Sequence, residues 1–284
     1  MVNIRLVIII VIVLVIIYFT LFHRPIFGYP IPDNICKLKH LDSQLYPDTT
    51  IDAVVTWVDA SDQTWLKKKN DALTKLHNLE KSKISIEFNR FNNENDTEIC
   101  LCLRLILKNL EWVNKVYVVT MRPQIPDCLK KNGILYKYVV NGKIVIVYHD
   151  QIFDQNIDVF NSYSIESQIT NIPGLSEKFL SFNDDFYCLN PHPPSYYFTK
   201  TGKPIIRYEK CMKDNFLYNL YSKYGKSHIY SIRYTDLDMI IMRAHVFVPL
   251  TKQIMFDSKD AYKSEWNKVS RSVFRSSDTI EPIA

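Results

Sequence analysis

Glycine is scarce in this chain, with 6 residues in 284, while isoleucine, lysine, asparagine and tyrosine are abundant, as is typical of an AT-rich genome. The six cysteines show no paired spacing of the zinc-ribbon kind, which argues against a structural zinc domain. A net charge of +5 is spread along the chain without clusters of basic and aromatic residues, so we expect no nucleic-acid partner. No internal repeat or low-complexity tract interrupts the sequence.

Cysteine usage leaves the redox state of the protein open. Cys100 and Cys102 lie within an apolar helical pattern, so we expect free, buried thiols at both positions. An even number of cysteines permits disulfide bonds in an oxidising compartment but does not require them.

The N-terminal segment carries an apolar run from residue 6 to residue 22, preceded by Arg5, which is about the minimum length for a transmembrane helix. A cleavable signal peptide is the alternative, but no small-residue cleavage site follows the run. We therefore predict a retained signal-anchor at residues 1–24, a linker at 25–50 and one domain at 51–284. Such a protein spans a membrane once, in the Golgi or another secretory membrane of a eukaryote or in the inner membrane of a bacterium. Basic residues flank the run on both sides, so its orientation stays open.

The chain after residue 50 alternates between β-branched apolar runs and helical patterns. This alternation predicts an α/β fold with an open, mainly parallel sheet, flanking helices and a ligand site at the carboxyl ends of the strands. The predicted strands are 51–59, 115–120, 144–148 and 178–182, and the predicted helices are 62–79, 98–112 and 162–169.

Polar residues follow each predicted strand and should gather at one edge of the sheet, namely Asp59, Thr120, His149, Asp184 and Asp185. The last two form the most informative group, because they are adjacent carboxylates at the end of a strand. Hard oxygen ligands of this kind predict a Mg²⁺ or Mn²⁺ site for a phosphate-bearing substrate. An ordinary turn is the structural alternative.

Ordered motifs resemble those of a known family. The segment 51–62 resembles the first signature region of the Stealth family of sugar-1-phosphate transferases, which includes capsular polysaccharide phosphotransferases and the catalytic subunit of N-acetylglucosamine-1-phosphotransferase. The motifs from residue 90 to residue 185 resemble the second region in order and spacing, and 244–249 with 274–278 resemble the third. A fourth region is not recognisable before Ala284. Cys100 stands where the family usually has a basic residue, and Cys128 replaces a usual tryptophan.

The resemblance implies catalytic roles for five residues. Asp184 and Asp185 would hold the divalent cation on a diphosphate. His245 would act as the general base, although a histidine beside an apolar run is otherwise a core or edge residue. Arg275 would bind the phosphate as charge builds up, with a surface ion pair to a neighbouring aspartate as the alternative. Glu166 would face the same site.

The resemblance also implies a set of donor-binding residues, which are Trp57, Asp59, Arg104, Asn161, Ser162 and Asn183. Trp57 could equally be a core residue, and Asn161 or Ser162 could simply cap a helix. Arg104 lies in an apolar helical pattern, where a buried arginine needs an anion, either a diphosphate or Glu98.

Three functions are consistent with these residues. The first is a membrane-anchored transferase that moves a sugar-1-phosphate from a nucleotide-sugar similar to UDP-GlcNAc to a hydroxyl of a glycan or polysaccharide. The second is a metal-dependent glycosyltransferase, in which attack occurs at the anomeric carbon. The third is a degenerate glycan-binding protein without activity.

Overall fold

The computed structural model describes residues 50–79, 97–154, 158–213, 239–243, 246–276 and 279–283. The predicted signal-anchor and linker lie outside these residues. In the part of the chain that is described, no helix is long and apolar enough to cross a membrane.

In the described residues, the main sheet has five strands: Ile51–Thr56 (β1), Val116–Thr120 (β2), Ile144–Tyr148 (β3), Lys178–Asn183 (β4) and Val248–Thr251 (β7). Their order in the sheet is β3-β2-β1-β4-β7. Strands β1 to β4 are parallel, and β7 pairs antiparallel with β4 at one edge. This arrangement confirms the predicted open, mainly parallel α/β sheet.

A separate two-stranded antiparallel sheet pairs Tyr208–Lys213 (β5) with Met239–Arg243 (β6). Neither these strands nor β7 was predicted from the sequence. The strand β7 contains Pro249, which a central strand would not tolerate, but β7 lies at the edge of the sheet, where a missing N–H is acceptable.

Within the described ranges, six α-helices accompany the sheet: Gln63–Leu79 (α1), Thr97–Asn109 (α2), Tyr136–Val140 (α3), Ser162–Glu166 (α4), Lys252–Ala261 (α5) and Lys263–Ser270 (α6). The side chain of Asp62 caps α1 by accepting a hydrogen bond from the Trp65 N–H at 2.7 Å, as the sequence predicted. Helix α4 is shorter than its predicted range 162–169, because the chain continues from residue 169 as a 3₁₀ turn.

Two hydrophobic layers cover the sheet because alternate residues of a strand point to opposite faces. On one face, Ala53 and Val55 of β1 pack in a cluster with Ile99, Leu103 and other buried residues of α2, which we call the α2 cluster. On the other face, Val54 belongs to a cluster that contains residues of α4, α5 and α6.

The amino ends of the strands are joined by Asp52, whose side chain is fully buried. One carboxylate oxygen accepts hydrogen bonds from Asn114 Nδ2 at 2.9 Å and the Lys115 N–H at 3.0 Å, and the other accepts the Ser176 N–H at 2.7 Å. A buried carboxylate needs such donors. Asp52 is therefore a structural residue at the edge opposite the predicted site.

A disulfide bond joins Cys100 in α2 to Cys128 in the 3₁₀ turn Asp127–Leu129. The expectation of a free thiol at Cys100 is therefore wrong, whereas Cys102 is buried and free as expected. The residues are 28 positions apart, and sequence alone does not reveal which cysteines meet.

Candidate functional site

The site begins at the carboxyl end of β4, where Asn183, Asp184, Asp185 and Phe186 form a turn. The Phe186 N–H donates to the Asn183 carbonyl at 3.1 Å, so the structural alternative of a turn is present. A turn does not exclude a ligand site. It leaves Asp185 exposed and Asp184 partly buried at the carboxyl edge, between β1 and β4, where the strand order of the sheet reverses direction.

Asp184 is held in a strongly unfavourable environment for a negative charge. Burial, followed by the neighbouring Asp185 and then by Glu98, raises the pKa of Asp184 to about 7. Glu98 lies in the first turn of α2, and the sequence indicated no site role for it. Cys102 also lies close to this turn, with its Sγ 3.8 Å from the Asn183 carbonyl oxygen. Burial and the charges of both aspartates raise the pKa of the Cys102 thiol. The negative charges of Asp185 and Glu98 thus both act on Asp184, and a cation would relieve this repulsion.

The donor set fits a metal that binds together with its substrate. Among the residues that the structure describes, no group of three or more His, Cys, Asp or Glu side chains forms a complete metal site. Mg²⁺ usually takes one or two protein carboxylates and completes its coordination with water and substrate phosphates. Asp184 and Asp185 can supply those two carboxylates.

The loop after β1 is fixed by a residue that the sequence did not single out as a site residue. The side-chain amide of Gln124 binds both backbone groups of Asp59: its Oε1 accepts the Asp59 N–H at 2.8 Å, and its Nε2 donates to the Asp59 carbonyl at 2.8 Å. The Asp59 carboxylate accepts the Ser61 N–H at 2.9 Å and the Ser61 hydroxyl at 2.6 Å. Gln124 lies after β2, within the segment that resembles the second Stealth region, and this position is the sequence signal for its role.

Trp57 follows the last residue of β1 and is 7% exposed within the α2 cluster. This burial favours the core alternative, because a ring that stacks on a nucleotide base must present a free face.

A second group of site residues forms where the C-terminal segment meets α4. Asn161 caps α4, since its Oδ1 accepts the Tyr163 N–H at 3.1 Å, and this confirms the capping alternative. The Asn161 Nδ2 also donates to the carbonyls of Ser272 and Phe274, at 3.2 and 3.4 Å. These contacts attach residues 272–276 to the start of the helix.

Arg275 is positioned by this attachment. Its guanidinium donates a hydrogen bond to the Ser162 hydroxyl and lies over the Tyr163 ring, 4.1 Å from the centroid. Burial and the nearby Glu281 raise the pKa of Tyr163, the cation of Arg275 lowers it, and Glu166 raises it. The structure therefore brings together Arg275, Ser162, Asn161 and Glu166.

Two sequence predictions have different outcomes. His245, the predicted general base, lies outside the described residues, so its role stays a prediction. Arg104 is described, and the premise that it is buried is wrong: it is exposed on the outer face of α2, opposite the buried Cys102 and Leu103. The apolar helical pattern of α2 suggested a buried position for Arg104 because Leu101, which is hydrophobic, lies on the same exposed face as the long polar side chains. Because Arg104 is exposed, we leave it out of the donor site that we propose below.

Thr120 and His149 also lie at the carboxyl edge, as predicted, at the ends of β2 and β3. Both are buried, and their side-chain polar atoms have no hydrogen-bond partner in the described structure. The His149 ring packs edge-on against Phe153, with a centroid distance of 6.2 Å. Burial lowers the pKa of His149 to about 4, against the opposing effect of Asp150 and Asp158.

The buried imidazole predicts a loss of stability in acid. In the unfolded chain, His149 binds a proton below about pH 6.5, whereas in the folded protein it does so only below about pH 4. The free energy of unfolding should therefore fall as the pH is lowered from 6.5 to 4. The contribution amounts to roughly 3 kcal/mol. We expect His149→Gln to lack this loss when denaturant unfolding is measured at pH 7.5, 5.5 and 4.5.

His192→Gln is the matched control, because burial also lowers the pKa of His192, although its ring stays partly accessible. This variant should retain most of the acid sensitivity of the wild type. Equal pH dependence of the wild type and His149→Gln would contradict the assignment.

Comparison with known proteins adds family evidence. The family model described as Stealth protein CR1, conserved region 1, matches residues 49–77, and that of Stealth protein CR2, conserved region 2, matches residues 90–206. A capsular polysaccharide phosphotransferase of Neisseria meningitidis serogroup B is 30% identical over 167 residues, covering 58% of this chain and 42% of that protein. A receptor polysaccharide phosphotransferase of Streptococcus oralis is 37% identical over 155 residues, covering 54% and 43%.

A longer match is found with an exopolysaccharide phosphotransferase of Lactiplantibacillus plantarum, which is 26% identical over 257 residues, covering 79% of this chain and 71% of that protein. The chain spans less than half the length of the other two relatives.

Proposed function

Because the chain belongs to the Stealth family, we propose that it is a phosphotransferase that moves a sugar-1-phosphate from a nucleotide-sugar to a hydroxyl group of a polysaccharide or other glycan. The observation that carries this proposal is the Asp184–Asp185 turn at the carboxyl end of β4, where the negative charge of Glu98 also acts on Asp184. The names of similar proteins, all polysaccharide phosphotransferases, support the substrate class.

In the proposed reaction, the acceptor hydroxyl oxygen attacks the phosphorus that carries the sugar. A new phosphorus–oxygen bond forms, the bond to the bridging oxygen of the donor breaks, and the nucleoside monophosphate leaves with the electron pair. His245 would take the hydroxyl proton, which is the role that the family resemblance implies. Catalysis of such a transfer depends on positioning and on neutralising charge.

Residues at the carboxyl edge would provide this positioning. A bound Mg²⁺ or Mn²⁺ would neutralise charge on the diphosphate. Asp184 and Asp185 would hold the ion, while Arg275, oriented by Ser162 and Tyr163, would bind a phosphate oxygen. Gln124 would fix the loop that carries Asp59 at the donor side.

The location of the domain is part of the proposal. The apolar run at residues 6–22 would anchor the chain in a membrane. The Cys100–Cys128 bond supports a domain on the oxidising side of that membrane, because disulfides are rare in the cytosol.

The full chain, purified in detergent with Mn²⁺, tests the reaction. A UDP-sugar labelled in parallel on the β-phosphate and on the sugar should transfer both labels to a sugar acceptor in an acid-labile linkage. Transfer of the sugar label alone would show a glycosyltransferase, and no transfer across several donors would favour a binding protein.

Two arginine variants show whether the described site carries the activity. Arg275→Gln should lower transfer by about 10²-fold, because it removes a charged donor to the phosphate. Arg104→Gln should leave transfer within about twofold of the wild type, as expected for an exposed side chain outside the site. The opposite result would restore the sequence-based role of Arg104.

A further inference from the structure

An exposed apolar surface lies on the segment that joins β2 to β3. Ile134 is 64% exposed, Tyr136 36% and Val140 70%, although all three are large hydrophobic side chains. Tyr136 and Val140 are four residues apart in α3 and so share one face of the helix. The opposite side of this segment packs into the α2 cluster through Leu135, Tyr138 and Val139. We call Ile134, Tyr136 and Val140, with the lysines around them, the α3 surface.

Lysines surround these apolar side chains. Residues 127–142 contain Lys130, Lys131 and Lys137 but only one acid, Asp127, so their net charge is 3 − 1 = +2. Lys130 pairs with Asp127 at 2.6 Å, and Lys131 and Lys137 are exposed. The Lys137 Nζ lies 5.0 Å from the centroid of the Tyr138 ring. Exposed apolar side chains framed by lysines are typical of a protein surface that lies in the headgroup region of an anionic membrane.

The end of α3 adjoins the point where the N-terminal segment enters the domain. The Lys143 carbonyl accepts the Val116 N–H at 2.8 Å, and the Asn114 N–H donates to the Ile51 carbonyl at 2.8 Å. The starts of β3, β2 and β1 therefore lie side by side, and the chain from the apolar run reaches the domain at the start of β1. The N-terminal segment therefore enters the domain at the edge where α3 ends, and a membrane that holds residues 6–22 would be tethered to this edge through residues 23–50.

We propose that the α3 surface docks on anionic phospholipid, an inference that rests on the membrane anchor proposed above. Ile134, Tyr136 and Val140 enter the interface between headgroups and acyl chains, and Lys131 and Lys137 bind lipid phosphates. The anchor keeps the surface at a high effective concentration near the lipid, so a weak contact suffices. A second copy of the chain is a poorer partner, because two surfaces of the same positive charge would face each other.

Photocrosslinking of the full chain in lipid nanodiscs tests the docking. Benzoylphenylalanine replaces Tyr136 in one variant and Phe256 in the control. Phe256 is also aromatic and is 41% exposed, but it lies in α5, which packs on the opposite face of the sheet. With discs that contain phosphatidylglycerol, we expect at least fivefold more lipid adduct at position 136 than at position 256. Discs of phosphatidylcholine alone should reduce the adduct at position 136.

A charge variant tests the role of the lysines. Lys131→Glu with Lys137→Glu should lower the lipid adduct at position 136 at least threefold, while the adduct at position 256 stays unchanged. Equal amounts of lipid adduct at positions 136 and 256 would overturn the proposed docking and leave the anchor unaffected. A protein–protein adduct at position 136 would have the same meaning. Release of the chain from the discs in high salt would instead overturn the anchor and the docking together.

Discussion

Asp184→Asn is expected to lower sugar-phosphate transfer by about 10³-fold, because the proposed cation would lose one of its two protein carboxylates. The same change should stabilise the metal-free protein. Burial and Asp185 raise the pKa of Asp184 to about 7, so this carboxyl group destabilises the fold progressively as the pH rises from 4 to 7. Asparagine carries no charge, and its gain at pH 8 should be about 4 kcal/mol.

The measurement combines initial transfer rates with denaturant unfolding in EDTA at pH 8 and with the thermal shift on adding Mn²⁺. Wild type should gain thermal stability from Mn²⁺, whereas Asp184→Asn should not. Asp150→Asn is the control, because Asp150 is exposed at the same edge and pairs with Arg122 at 2.7 Å. If Asp184→Asn keeps both the wild-type transfer rate and the Mn²⁺ response, the assignment of Asp184 as a ligand is refuted.

The sheet was predictable because its parallel strands are buried on both faces and therefore read as continuous apolar runs. The runs that became β1 to β4 contain few polar residues, and each polar residue that follows them marks the carboxyl edge. The strand β7 has only four residues and includes Pro249, so it lacks that signal. Its pairing with β4 depends on contacts distant in sequence.

The candidate site was predictable where a residue type is unusual for its position. Adjacent carboxylates after an apolar strand identified Asp184 and Asp185, and the structure then showed that Glu98 contributes to the electrostatic environment of Asp184. The error at Arg104 arose because an apolar helical pattern does not show which residues lie outside the buried stripe. Leu101, a hydrophobic residue with 41% exposure, lies on the exposed side and widened the apparent stripe.

Joint replacement of Cys100 and Cys128 by alanine is expected to lower the free energy of unfolding by roughly 3–4 kcal/mol, from the loop-closure entropy of a cross-link that spans 28 residues. In a domain of this size, the melting temperature should fall by roughly 10 °C. Differential scanning calorimetry of the wild type with and without a reducing agent provides the control. Reduction should bring the wild type close to the variant and leave the variant unchanged, and a melting temperature insensitive to reduction would contradict the bond.

This bond also accounts for two departures from the Stealth pattern at once. The sequence has cysteine at position 100 instead of a usual basic residue and at position 128 instead of a usual tryptophan, and the structure joins these two positions covalently. The cross-link holds the first turn of α2 two residues after Glu98, which contributes to the electrostatic environment of Asp184. The alanine pair should therefore also weaken the Mn²⁺ response of the folded protein, at a temperature well below its melting point. An unchanged Mn²⁺ response would limit the bond to a role in stability.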